Sequence, residues 1–117
     1  MVQYRAGSDG VNLVASAIAD PTRRAILQHL AGGPATISDI AKPFSITLTG
    51  FCKHVRVLER ARLVRRTRRG RENVLTLSPG PLREVADWIL HYEKLWTERV
   101  ERLEEFFAAE NEKEKPQ

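Results

Sequence analysis

The stretch TLTGFCKHVRVLERARLVRRTRRGRENVLTL, Thr47 to Leu77, decides how this chain folds. It carries Lys53, Arg56, Arg60, Arg62, Arg65, Arg66, Arg68, Arg69 and Arg71 against only Glu59 and Glu72, in a chain whose net charge is +4. At about 100° per residue, Leu48, Phe51, Val55 and Leu58 share one face of a helix over roughly residues 47–61. Thr49, Lys53, Arg56 and Arg60 share another. One face packs down and the other presents a row of donors. Thr47 is the N-cap, because its hydroxyl can accept an orphan backbone N–H of the first turn.

The rest of the stretch alternates differently. Leu63–Arg68 and Glu72–Leu77 read as two strands rich in β-branched and apolar residues, with Arg69-Gly70 as their turn. The hairpin concentrates Arg68, Arg69 and Arg71 at its tip. Just upstream, TISDIAKPF predicts a short helix opened by a capping box. In that box Thr36 accepts from the Asp39 N–H and the Asp39 carboxylate reaches back. Pro43 disfavours a helical Lys42 and ends the helix there. A short helix, a tight turn and a second helix with a donor stripe make a helix-turn-helix, and the arginine-tipped hairpin is its wing. The expected fold is mainly α with a small β-hairpin.

Working outward, residues 1–9 read as a flexible polar arm. Val11, Leu13, Val14, Ala17 and Ile18 have helical spacing from Gly10 onward. Asp20-Pro21 then supplies an N-cap and a first helical residue, and Gly32-Gly33 a stop. The winged domain so defined runs over residues 10–77. Residues 78–108 follow as one long amphipathic helix. Its stripe is Leu82, Val85, Ile89, Tyr92, Trp96, Val100, Leu103 and Phe107, with Trp88, Leu95 and Phe106 just beside it. The stripe is too long for so small a domain to cover, and its aromatics predict burial against another subunit. A pocket for a small molecule is the second reading of Trp88, Tyr92 and Trp96. Residues 109–117 are charged and read as a disordered tail.

Composition narrows the partners. The chain has 117 residues, a sequence pI of about 9.6 and 29% charged residues, which fits one basic domain facing a polyanion. A single cysteine, Cys52, excludes an internal disulfide and points to a reducing cytosol. No apolar run approaches the roughly 18 residues of a membrane span, and the first residues lack a signal peptide's apolar core. No Ser/His/Asp or Cys/His constellation, phosphate-cradling glycine loop or paired carboxylates suggest an enzyme. Cys52 and His54, two apart on a helix, diverge.

ADPTRRAILQHL, the stretch from ISDIAKPF to NVLTL, and PLREVADWILHYEKLWTERVERLEEFF together resemble the ArsR/SmtB family of winged-helix repressors over about residues 11–107. The resemblance implies a homodimer held by the first and last helices, with Leu13, Val14, Val85, Ile89, Tyr92, Trp96, Val100 and Leu103 at the interface. It also implies a recognition helix in the major groove of an inverted-repeat operator. Thr47 would then cap that helix at the DNA, and Thr49, Gly50, Lys53 and His54 would lie nearest the bases or adjacent phosphates. Arg56 and Arg60 continue the stripe, and Arg68, Arg69 and Arg71 are the wing contacts. The partners expected are double-stranded DNA, a second copy and a small-molecule or protein effector, with no membrane.

Four positions depart from the family pattern. No cysteine stands on the ISDIAKPF helix, so the thiolate metal box is missing. On the last helix only Asp87 and His91 are in register for a zinc site, so neither metal nor cofactor is expected. Arg62 stands where the family usually has Gly, which predicts either a different helix exit or a left-handed residue. Cys52 replaces a common Ser. It reads first as a half-buried filler and second as a thiol activated by Lys53 and Arg56. Two other functions share parts of this pattern: an architectural DNA-binding protein without sequence preference, and a protein-interaction module using the last helix.

Overall fold

The computed structural model describes residues 5–114. Eight elements follow in the order α1 (Arg5–Ile18), α2 (Pro21–Ala31), β1 (Ala35–Thr36), α3 (Ile37–Ala41), α4 (Leu48–Arg60), β2 (Val64–Arg69), β3 (Glu72–Leu77) and α5 (Gly80–Glu114). The three strands form one antiparallel sheet in the order β1-β3-β2. The chain divides into a unit ending at Val85 and a second beginning at Ala86.

The first unit is built around one apolar cluster. Phe51, Val55 and Leu58 of α4 meet Ile26 and Leu30 of α2, Val14 and Ala17 of α1, Ile37 and Ile40 of α3, Val64 and Leu75 of the sheet, and Leu63 just before β2. Phe51, Ile26, Leu58, Leu63, Leu75, Val14 and Val55 are the largest fully buried side chains. Each contributes about 1.5–3 kcal/mol by leaving water. The side-chain spacing of α4 is what lets three of its residues reach this core while its other faces stay wet.

Caps set the helix boundaries. Asp20 accepts the N–H groups of Thr22 at 2.8 Å and Arg23 at 3.3 Å, with Pro21 opening α2. Gly32 closes α2 in a helical conformation, and Gly33 turns the chain away at φ 135°, a value that L side chains rarely adopt. Thr36 accepts the Asp39 N–H at 3.1 Å, as the capping box requires. The other half of the box is not made: the Asp39 carboxylate takes the Lys42 ammonium at 3.2 Å. Nor is Lys42 driven out of the helical region by Pro43. Its φ and ψ are −53° and −45°, although α3 does end there.

Several expected boundaries move. α1 starts at Arg5, five residues before Gly10, so residues 5–9 of the expected arm are helical and residues 1–4 lie outside the described ones. Once residues 11–18 are packed, extending the helix through Gly10 costs only about 1 kcal/mol. α5 continues through residues 109–114 of the expected tail, where Ala109, Glu110, Glu112 and Lys113 are good helix formers; residues 115–117 lie outside the described ones. The wing turn is Gly70-Arg71, one residue later than expected, because Gly70 supplies the positive φ of 65°. Leu48 is 61% exposed and leaves the expected apolar face of α4, since at the first helical position it precedes the turn that the core covers.

The second unit consists of the rest of α5. Trp88, Ile89, Leu90, Tyr92, Leu95, Trp96, Leu103, Phe106 and Phe107 are all exposed along it. Trp88 and Tyr92 pack at 4.7 Å between ring centroids, and His91 meets Tyr92 edge-on at 5.1 Å. None of the described helices is long and apolar enough to cross a membrane.

Candidate nucleic-acid interface

Thr47 starts the site. Its Oγ1 accepts the Gly50 N–H at 3.0 Å and its carbonyl accepts the Phe51 N–H at 2.9 Å. Gly50 matters because a Cβ there would come within 3.2 Å of that same Oγ1. The bare backbone therefore leaves the cap undisturbed and the first turn open to close approach. Behind it, Phe51 packs against Phe44 with ring centroids 5.5 Å apart and the planes tilted by 51°, holding the inner face of α4.

The outer face is as the spacing predicted. Thr49, Lys53, Arg56 and Arg60 are all exposed along α4. Cys52 is only half-exposed and packs against the core beside them. Among the described residues, no three His, Cys, Asp or Glu side chains gather where a metal could bind.

α4 ends in a Schellman motif. The Arg62 N–H donates to the Glu59 carbonyl and the Leu63 N–H to the Leu58 carbonyl, both at 3.0 Å. Arg62 holds the left-handed position at φ 62°, the second of the two outcomes its sequence position allowed. Leu58 and Leu63, the apolar pair of the motif, are both fully buried.

The wing follows immediately. Ser78 donates its N–H to the Leu63 carbonyl at 2.8 Å, closing the hairpin base. Only Val64 of β2 is buried, so Arg65, Arg66, Arg68 and Arg69 project from an exposed strand. Arg66 donates to the Glu59 carboxylate at 2.8 Å and ties the hairpin to α4. Arg68 donates to the Gly70 carbonyl at 3.2 Å, within the turn. Arg68, Arg69 and Arg71 are exposed at the tip.

Two functional details were missed in the sequence. Arg23 donates from Nε to the Ala17 carbonyl at 2.7 Å, and from its terminal nitrogens to the Ser16 carbonyl at 2.9 Å and His54 Nδ1 at 3.1 Å. Arg24 donates to the Ile18 carbonyl at 2.7 Å. The two arginines thus satisfy the orphan carbonyls at the end of α1. The signal was present: two cations in the first turn of a helix oppose its dipole, so they need partners elsewhere. Burial pushes the Asp20 carboxyl up. The N–H groups of Arg23 and Thr22, together with the Arg23 guanidinium, outweigh this and hold it below its ordinary value.

The expected dimer residues divide. Val14 and Val85 are 2% and 7% exposed, within this chain's own core. Both lie on the inner side of their helices, where the winged unit claims them first. Leu13, Ile89, Tyr92, Trp96 and Leu103 are exposed and Val100 is half-exposed.

Comparison with known proteins agrees with this geometry. A family described as a helix-turn-helix domain matches residues 18–67. The transcriptional repressor SdpR of Bacillus subtilis is 35% identical over 82 residues, which is 70% of this chain and 91% of SdpR. A crystallised ArsR family transcriptional regulator superposes with a TM-score of 0.74 at 38% identity, over 77% of this chain and 93% of that one. The homodimeric winged helix-turn-helix domain Mb0332 of Mycobacterium bovis, a possible ArsR-family regulator, gives 0.58 at 26% identity, over 80% and 84%. With its capped recognition helix, its wing and these relatives, this chain belongs to the ArsR family of winged helix-turn-helix transcriptional regulators.

Proposed function

We propose that the chain acts as a homodimeric repressor on an inverted-repeat DNA operator. The observation that carries this is the continuity of exposed cations from Lys53, Arg56 and Arg60 of α4 to Arg68, Arg69 and Arg71 of the adjoining wing. Thr49 and Lys53 face base edges in the major groove, and the wing arginines take phosphates or a narrow minor groove. Thr47, Gly50 and His54 serve the approach of the first turn to the backbone. The exposed residues Leu13, Ile89, Tyr92, Trp96 and Leu103, with Val100, form the dimer contact. Two copies place their recognition helices in successive major grooves, about 34–36 Å apart.

Repression follows from occupancy, without catalysis: a dimer on a promoter excludes polymerase. A small molecule or protein that alters the angle between the two recognition helices releases the DNA. The SdpR likeness supports the repressor reading and the Mb0332 likeness the dimer. The test is a titration against DNA from the chain's own upstream region and a random duplex at two salt concentrations, with sedimentation to count subunits. Selective binding by a dimer supports the proposal. Equal binding to the two duplexes by a dimer points to an architectural protein, and a monomer that ignores DNA points to an interaction module.

A further inference from the structure

A guanidinium has five N–H groups, no acceptor and no accessible neutral form. Its contact with a histidine nitrogen therefore has one possible polarity. Arg23 donates and His54 Nδ1 accepts across 3.1 Å, so Nδ1 carries no proton. The single proton of the neutral ring is then on Nε2, which makes that atom a hydrogen-bond donor.

The other end of Arg23 makes this arrangement rigid. Its Nε and second terminal nitrogen are held by the Ala17 and Ser16 carbonyls at 2.7 and 2.9 Å, at the end of α1. Its backbone N–H is held by Asp20, so both the Asp20 carboxylate oxygen and the guanidinium at this corner are committed. His54 is half-buried, and among the described residues no group bonds its Nε2. No buried side-chain nitrogen or oxygen among them lacks a partner. Nε2 is therefore open to solvent. His54 also follows the N-cap Thr47 at i+7 and Gly50 at i+4, on the side where the first turn is open.

We infer that Arg23 is a positioning residue that fixes His54 as an Nε2–H donor to a DNA phosphate, coupling the end of α1 to the docking of the recognition helix. This rests on the DNA-binding reading above. It adds a neutral phosphate contact beside the cationic ones, and it assigns a role to an arginine that touches no DNA itself. A neutral donor takes a phosphate oxygen without displacing a counterion, so its loss weakens binding without changing the salt dependence.

Two measurements test it, the first without DNA. Long-range ¹H–¹⁵N NMR of the full chain at mildly alkaline pH is expected to show His54 as a single Nε2–H tautomer, and Arg23→Lys is expected to mix the tautomers. An Nδ1–H tautomer, or a mixture already in the wild type, overturns the inference. In the second, His54→Phe is expected to weaken binding to operator and random duplex alike by about tenfold, with the slope of affinity against salt unchanged. Arg23→Lys is expected to lose a similar factor, and the double variant no more than either. Multiplying losses, or His54→Phe binding as wild type does, overturns it. If Arg23→Lys fails to fold, the wild-type tautomer and His54→Phe still decide. A wild type that binds no duplex while showing the locked tautomer overturns the DNA reading and, with it, the phosphate contact.

Discussion

The Leu63 N–H reaches back to the Leu58 carbonyl at 3.0 Å, and Arg62 between them is left-handed. The recognition helix thus stops with full hydrogen bonding and a buried leucine pair, yet with an arginine where the backbone favours glycine. A non-glycine residue in this region costs about 1–2 kcal/mol. Arg62 is exposed, so little is lost with its side chain. Arg62→Gly is therefore expected to stabilise the chain by about 1 kcal/mol after the added freedom of the unfolded chain is discounted. Chemical denaturation with an unchanged m-value would check it.

Asp20 holds two N–H groups of α2, and its carboxyl lies below its ordinary value. Removal of such a cap costs about 1 kcal/mol, so Asp20→Ala is expected to destabilise by that amount at neutral pH. The sign with pH follows from the lowered value. The charged form is favoured in the folded state, so its contribution is complete above the unfolded carboxyl's 3.8 and is lost as pH falls through the lower folded value. The gap between wild type and Asp20→Ala should narrow below about pH 4. Thermal melts across that range would show a constant gap if the carboxylate charge were irrelevant.

Lys53 stands one turn into α4 on its exposed face. Lys53→Ala is expected to weaken operator binding by about 1–3 kcal/mol and to relax base preference at one position in each half-site. A binding selection on randomised duplexes reads both effects.

Arg69 sits at the wing tip, paired across the hairpin with Glu72. Arg69→Ala is expected to weaken operator and random duplex about equally and to reduce the salt slope by about one. A changed base preference would instead make Arg69 a minor-groove reader.

Trp96 is 68% exposed on α5. Trp96→Glu is expected to yield a helical monomer by sedimentation and circular dichroism. It should bind DNA far more weakly, because the two half-sites are no longer joined. A variant that remains dimeric would remove α5 from the interface.

Period and capping chemistry carried most of the fold. Phe51, Val55 and Leu58 could be assigned to the core, and Thr47 and Asp20 to caps, because those roles depend on residues within one helical turn. β1 was not legible: Ala35-Thr36 is strand only through pairing with Val74 and Leu75, some 40 positions later. The Arg23–His54 contact is likewise long-range, joining residues 31 positions apart. The burial of Val14 and Val85 in the chain's own core was not legible, because a helical stripe shows which residues are apolar but not which apolar surface receives them. The donor row of α4 was legible because exposure of charged residues at fixed spacing needs no knowledge of neighbours.

Thr36 belongs to two elements at once. It pairs with Val74 in the central strand of the sheet, and its hydroxyl caps the first helix of the helix-turn-helix. Breaking that strand pair removes the cap, and fraying the helix releases the strand. Amide protons of α3 and of the middle of β3 should therefore exchange with one opening free energy, as a single cooperative unit. Only the hairpin beyond Asn73 is left to open alone. The arginine tip can then adapt to the DNA it meets while the recognition helix beside it stays fixed.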